Sequence, residues 1–233
     1  MTSKAAGMRG ELKEGRDLYT PCSPPPLPRL AESGPEFESF VDVCAGRGAQ
    51  AQLTFAVTTA GILCCFDADR LLAQWVNTRV RAGFALDVTS ERVFVGGSDG
   101  IVRCFDAASL EFLSTLPLPA AVGRLGVSQG QPVPPPRPLD VFPGAVCLRA
   151  AASGGQVVVV YGDASLYVWE CSRLNEVSKL RSSCAHSGAI SGVAVLPVLP
   201  EGQAASGPDG LPPGTFVTCS ADSTVCVDQR RTG

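Results

Sequence analysis

From Leu53 onward the chain alternates between short apolar runs and clusters of Gly, Ser, Asp and Pro. Runs this short, rich in Val, Ile, Leu, Phe and Cys and closed by turn residues, predict β-strands; a helix would need a 3.6-residue period sustained over roughly ten residues or more. LTFAV, ILCCFD and RLLAQWV read as three strands. FALDV, VFVGG, IVRCFD and LEFLSTL read as four more, joined by TSER, SDG and AAS. The set returns as AVCLRAA, QVVVVYG, LYVWEC and EVSKLRS, and a further set runs AISGVAVLP, TFVTC, TVCVDQ and stops before a last strand. The fold class is all-β.

The sets share a phase. Asp99, Asp163 and Asp222 each stand six residues before Phe105, Trp169 and Asp228, which are followed by Asp106, Glu170 and Gln229. The first set ends on Phe66-Asp67, with Ala60 where the turn aspartate would be. Phe66 and Phe105 are 39 residues apart, close to the ~40–45-residue period of a four-stranded propeller blade ending in a Trp-Asp-like pair. The next two intervals, 64 and 59 residues, carry insertions of loop composition at 120–144 and 198–214. Each residue type has a physical reason. A turn Asp accepts backbone N–H groups between the second and third strands, and a third strand sandwiched between blades is apolar on both faces. An aromatic at its end buries ~150–250 Å². The architecture expected over 48–233 is a partial β-propeller of about three and a half four-stranded blades. Residues 1–47, which include TPCSPPPLPRLAESGPE, form a Pro-rich leader expected to be disordered.

Composition narrows the function. At 233 residues, 45% hydrophobic and 18% charged, the chain supports a packed core. A net charge of −3 with scattered Lys and Arg lacks the footprint of a nucleic-acid or acidic-membrane binder, which leaves protein partners. Purely apolar runs as long as any in the chain, such as Val157 to Tyr161, are far below the ~20 residues that span a bilayer, and the first fifteen residues carry no apolar signal core. The ten cysteines include no C-x-x-C pair, and most lie in apolar runs, so they read as reduced thiols of a cytoplasmic protein.

The phased copies resemble WD-repeat propeller blades over about 53–229. GILCCFDADRLLAQWVN, GIVRCFDAASLEFLSTLPLP, VVYGDASLYVWE and LPPGTFVTCSADSTV, in that order, are similar to the first propeller of the WD-repeat scaffold family of mitogen-activated protein kinase-binding protein 1 and WD repeat-containing protein 62. The resemblance implies a scaffold of the JNK stress-kinase cascade or of centrosomes and spindle poles, with kinase-cascade or centrosomal partners. Family members are several times longer, and closed propellers need ~4–8 blades, so the chain reads as a fragment whose open blade edges favour self-association. WD repeats often join a loop His, a strand Ser or Thr, the turn Asp and the Trp in one hydrogen-bonded tetrad. The last set offers His186, Thr218 and Asp222, with Asp228 in the Trp position. A charge there would cost several kcal/mol if desolvated and unpaired.

Catalytic chemistry has little to work with. His186 is the only histidine, and its place opening a blade favours a structural role. Cys64-Cys65, and Cys219 with Cys226, lack zinc-ligand spacing. Gly96-Gly97 precedes a strand, so it cradles no phosphate. No active site, metal or cofactor is expected. The leading reading is a non-enzymatic protein-interaction scaffold. The alternative is an adaptor whose Pro132, Pro135 and Arg137 form a P-x-x-P-x-Arg ligand for an SH3-type groove. Thr20-Pro21 and Ser23-Pro24 are Pro-directed phosphorylation candidates.

Overall fold

The computed structural model describes residues 39–69, 71–120, 141–151, 154–196 and 215–228. These carry fifteen strands in four antiparallel sheets. The first sheet holds β1 (Phe40–Ala45), β2 (Thr54–Thr58), β3 (Ile62–Phe66) and β4 (Leu72–Asn77). The second holds β5 (Gly83–Val88), β6 (Arg92–Gly97), β7 (Val102–Asp106) and β8 (Phe112–Thr115). The third holds β9 (Ala145–Ala150), β10 (Gln156–Tyr161), β11 (Leu166–Glu170) and β12 (Ser178–Ser183). The fourth has three strands, β13 (Ile190–Val195), β14 (Phe216–Ser220) and β15 (Val225–Asp228). Every sheet runs in chain order, as in a propeller blade.

One boundary moves. The segment read as leader to residue 47 contains β1, which pairs with β2 from Phe40↔Thr58 to Ala45↔Thr54. The first blade therefore has four strands rather than three. FVDVCA alternates toward a half-buried strand, but Asp42 breaks its apolar run and a Pro-rich stretch precedes it.

The blades stack face to face through three apolar cores. Phe55, Val57, Leu63 and Cys65 of the first blade meet Leu86, Val88, Val95 and Phe105 of the second. Phe94, Val102 and Cys104 of the second meet Leu148, Val157, Tyr161 and Trp169 of the third. Val158, Val160 and Val168 of the third meet Ile190, Val193 and Phe216 of the fourth. The middle strands of the first and third blades are buried on both faces, which explains their unbroken apolar sequence, whereas β4, β8 and β12 lie outermost and hold no fully buried residue.

The repeat also shows in the turn between the second and third strands. Its N–H bonds back to the carbonyl ahead of the innermost strand in each blade: Thr59 to Ser39, Ser98 to Ala82, Gly162 to Gly144 and Ala221 to Ala189, at 2.8–2.9 Å. Two residues further on the backbone is left-handed, at Gly61, Gly100, Ala164 and Ser223 (φ 74°, 75°, 64° and 67°). Glycine meets that demand without strain, and the third and fourth blades meet it with a Cβ present.

Candidate functional site

The residues singled out by the repeat fall into two layers. In the turns, Asp99 Oδ1 accepts the N–H of Ile101 (3.3 Å) and Asp163 Oδ1 that of Ser165 (3.0 Å). At the strand ends, Asp106 Oδ1 accepts the N–H groups of Ala108 and Ser109 (2.9 and 2.8 Å), and Glu170 Oε1 that of Ser172 (3.2 Å). The Ser109 bond leads in holding the Asp106 carboxyl below its ordinary range. Phe105 and Trp169, both buried, face the preceding blade. Trp169 stacks on Tyr167 at 5.5 Å between centroids.

His186, Thr218 and Asp222 converge. His186 Nδ1 lies 2.9 Å from Thr224 Oγ1 and 3.3 Å from Asp222 Oδ2, and its Nε2 lies 2.8 Å from Thr218 Oγ1. Thr224 donates its one O–H to Asp222 Oδ1 at 2.6 Å, so its oxygen accepts from Nδ1–H, while Nε2 shares a hydrogen bond with the Thr218 hydroxyl. Nδ1 is thus fixed as a donor. The Thr224 hydroxyl, ahead of the Ser187 and Thr224 N–H groups, holds the Asp222 carboxyl far below the usual carboxylate range. Both ring nitrogens are hydrogen-bonded, which makes the cluster a clip between the blade's entry loop and its turn.

Asp228 stands apart from this clip. It ion-pairs with Arg181 on β12 of the third blade, each side chain about 31% exposed. The Arg181 guanidinium also lies over the Phe216 ring, 4.9 Å from its centroid. The charge in the aromatic position is neither fully desolvated nor unpaired, so the cost expected for it does not arise.

Two carboxylates not singled out from the sequence tie the blades together along the innermost strands. Asp42 Oδ2 on β1 accepts the Leu86 N–H of β5 (2.8 Å), and Asp87 Oδ2 on β5 accepts the Ala150 N–H of β9 (2.7 Å). Asp87 is 1% exposed and its Oδ1 takes Arg47 Nη2 at 3.3 Å and the Cys44 thiol at 3.4 Å. Burial leads in pushing the Cys44 thiol up from its ordinary range. The available signal was a carboxylate inside an otherwise apolar strand, which must find a donor.

The same strands carry a second repeated feature. Each is bulged at its second residue: the register skips Val41 in β1, Phe84 in β5, Val146 in β9 and Ser191 in β13. A bulge re-aims one side chain, and here it turns Val41, Phe84 and Val146 outward, 40%, 42% and 39% exposed, with Ser191 also exposed. The result is an arc of one side chain per blade on the end of the array that also carries the aspartate turns. Backbone neighbours are small: a Cβ on Gly144 would stand 2.9 Å from Phe84 Cε2. An exposed apolar arc of this kind suits binding.

Thr20, Ser23, Pro132, Pro135 and Arg137 lie outside the described residues. Among those described, no group of three or more His, Cys, Asp or Glu side chains is placed to hold a metal.

No protein-family model matches the chain. It is 36% identical over 188 residues to mitogen-activated protein kinase-binding protein 1 of Mus musculus and 37% identical over 191 residues to WD repeat-containing protein 62 of Sus scrofa. The human form of the first is 34% identical over 194 residues. Each match covers 80% of this chain and 12% of the relative, so the chain spans about an eighth of the length of these proteins.

Proposed function

We propose that this chain, which belongs to the WD-repeat family, is a non-enzymatic protein-interaction scaffold whose partners seat on the bulged rim of its innermost strands. The observation that carries this is the recurrence of the same bulge in four blades, exposing Val41, Phe84, Val146 and Ser191 on one arc. Apolar side chains held outward by rigid β-structure bind at low ordering cost. One group of relatives is named for binding a mitogen-activated protein kinase, and on that likeness we assign kinases of the MAP-kinase cascade, JNK type included, as the first partner class to test. Centrosomal or spindle-pole components and a cytoplasmic setting belong to the same reading by family resemblance. Self-association through the outward face of the fourth sheet, where Val225 and Val227 are exposed, is a further part of it.

The test is direct binding of the full chain to a purified JNK-type kinase, by surface plasmon resonance, for the native sequence and for Phe84→Ser with Val146→Ser. Binding weakened about tenfold or more by the double substitution supports the rim, because truncating central apolar anchors costs on the order of 1–2 kcal/mol each. Binding that survives it unchanged, with circular dichroism of the variant intact, moves the interface elsewhere.

A further inference from the structure

We infer that the fourth blade is a leaf that opens at the axis independently of the first three, because its seam to the third blade is fastened there by a thiol where the other seams use carboxylates.

Counted from the bulge, the four innermost strands align position by position. Asp42, Ala85, Cys147 and Gly192 stand first after it, and Cys44, Asp87, Arg149 and Ala194 stand third. A side chain in the first position takes the N–H of the second residue on the next blade: Leu86 donates to Asp42 at 2.8 Å, and Val193 donates to the Cys147 sulfur. A side chain in the third position takes the N–H of the fourth residue: Val88 donates to the Cys44 sulfur, and Ala150 donates to Asp87 at 2.7 Å.

The fastening weakens along the chain. The first seam uses both positions, through Asp42 and Cys44. The second uses the Asp87 carboxylate, and Arg92 on β6 adds two bonds from Nη1, to Gly154 O at 3.1 Å and Cys171 O at 2.7 Å. The third has Cys147 in the first position, and in the other it has Arg149, whose guanidinium offers no lone pair. Burial leads in pushing the Cys147 thiol up from its ordinary range, so it stays uncharged, and a neutral sulfur is a weak acceptor. The apolar packing follows the same order. Phe55 and Phe105 fill the first seam, and Phe94, Tyr161 and Trp169 fill the second, whereas the third is built on valines, Ile190 and Phe216. On the outside Arg181 clasps Asp228 and covers Phe216, but both charges are about 31% exposed and solvent weakens the pair. A leaf that swings out here uncovers Val158, Val160 and Phe216 and carries Ser191 away, while Val41, Phe84 and Val146 stay in place on the first three blades.

The experiment is amide hydrogen exchange of the full chain by NMR, with Leu86, Ala150 and Val193 each reporting the seam that its N–H crosses. In the native chain Val193 is expected to exchange at least about tenfold faster than the other two once intrinsic rates are removed. Cys147→Asp puts a carboxylate where Asp42 stands in the first blade and should slow Val193 about fivefold. Arg181→Gln loosens the outer clasp and should speed Val193 about two- to threefold, with Leu86 and Ala150 unchanged. Val193 as slow as Leu86 and Ala150 in the native chain overturns the inference. So does an Arg181→Gln chain in which all three amides speed up together, since the array then opens as one body. A Val193 rate unmoved by Cys147→Asp overturns it as well, because the thiol is then not what sets the seam. The native comparison needs no variant, so it decides even where a substituted chain fails to fold.

Discussion

Asp87→Ala tests whether the blades are registered by carboxylates at the axis. The substitution removes the acceptor of the Ala150 N–H, which donates to the Asp87 carboxyl at 2.7 Å in a buried setting. A hydrogen bond to a charged partner contributes ~1.5–3 kcal/mol, and a buried N–H left without an acceptor costs ~1–3 kcal/mol. These are two accounts of one loss, so about 2–3 kcal/mol is expected, not their sum. The Arg47 pair adds little, because that side chain is 45% exposed and solvent screens it. Asp87→Asn keeps a carbonyl oxygen in place for Ala150 but turns an NH2 toward Arg47 and the Cys44 thiol, giving up the charge and two weaker contacts at a part-exposed end, so it should cost about 1 kcal/mol. The assay is urea unfolding of the full chain followed by circular dichroism, together with amide hydrogen exchange at Ala150. Alanine should lower stability more than asparagine by about 1–2 kcal/mol, and Ala150 should lose protection in the alanine variant only. Equal losses for the two variants, or asparagine as the worse, would refute the staple and transfer the weight to the Arg47 charge pair.

Two further outcomes follow from the turns. Ala164 and Ser223 hold left-handed backbone that Gly61 and Gly100 hold in the first two blades. Relief of ~1–2 kcal/mol of strain, less ~0.4–1 kcal/mol for a looser unfolded chain, gives Ala164→Gly a net gain of roughly 0.5–1 kcal/mol, read as a rise in the unfolding midpoint; a loss would disprove the strain. Asp222 has its folded pKa depressed, chiefly by the Thr224 hydroxyl. Its stabilising contribution is therefore complete above the ordinary carboxylate value of 3.8 and is lost as pH falls below that toward the lower folded value. Thr224→Val should move the Asp222 carboxyl titration upward in carbon-detected NMR, and an unmoved titration would deny the hydroxyl its role.

What could be read from the sequence was whatever the repeat writes at a fixed spacing. Asp99, Asp163 and Asp222 recur because each turn needs an acceptor for its own N–H groups, a local demand. Phe105 and Trp169 recur because each fills the same site against the preceding blade. The features that escaped depend on neighbours distant in sequence. Asp42 and Asp87 look like polar interruptions until the N–H groups of Leu86 and Ala150 are placed beside them. The partner of Asp228 is Arg181, which lies across a blade boundary and shares no spacing with it. A bulge is harder still: Phe84 and Val146 sit among small or apolar residues on both sides, so a one-residue slip leaves the hydrophobic pattern unchanged while reversing which side chain meets solvent.

The staples and the rim occupy the same strands, and that placement has a consequence for binding. Val41 immediately precedes Asp42, whose carboxylate grips Leu86, two residues beyond Phe84. Asp87, on the strand that presents Phe84, grips Ala150 on the strand that presents Val146. Each exposed side chain is therefore anchored, within a few residues, by an inter-blade bond that would break if its strand rotated or slid. An outward Phe or Val on a loose edge would fold back onto apolar neighbours and lose its binding surface. Held by a strand whose register is pinned on the adjoining blade, it stays presented, and the ordering cost is met in folding rather than at the moment of association. On the proposed reading of the rim, the carboxylates at the axis would act on partner binding without touching the partner: loosening Asp42 or Asp87 is expected to weaken recognition at Phe84 and Val146 through presentation alone.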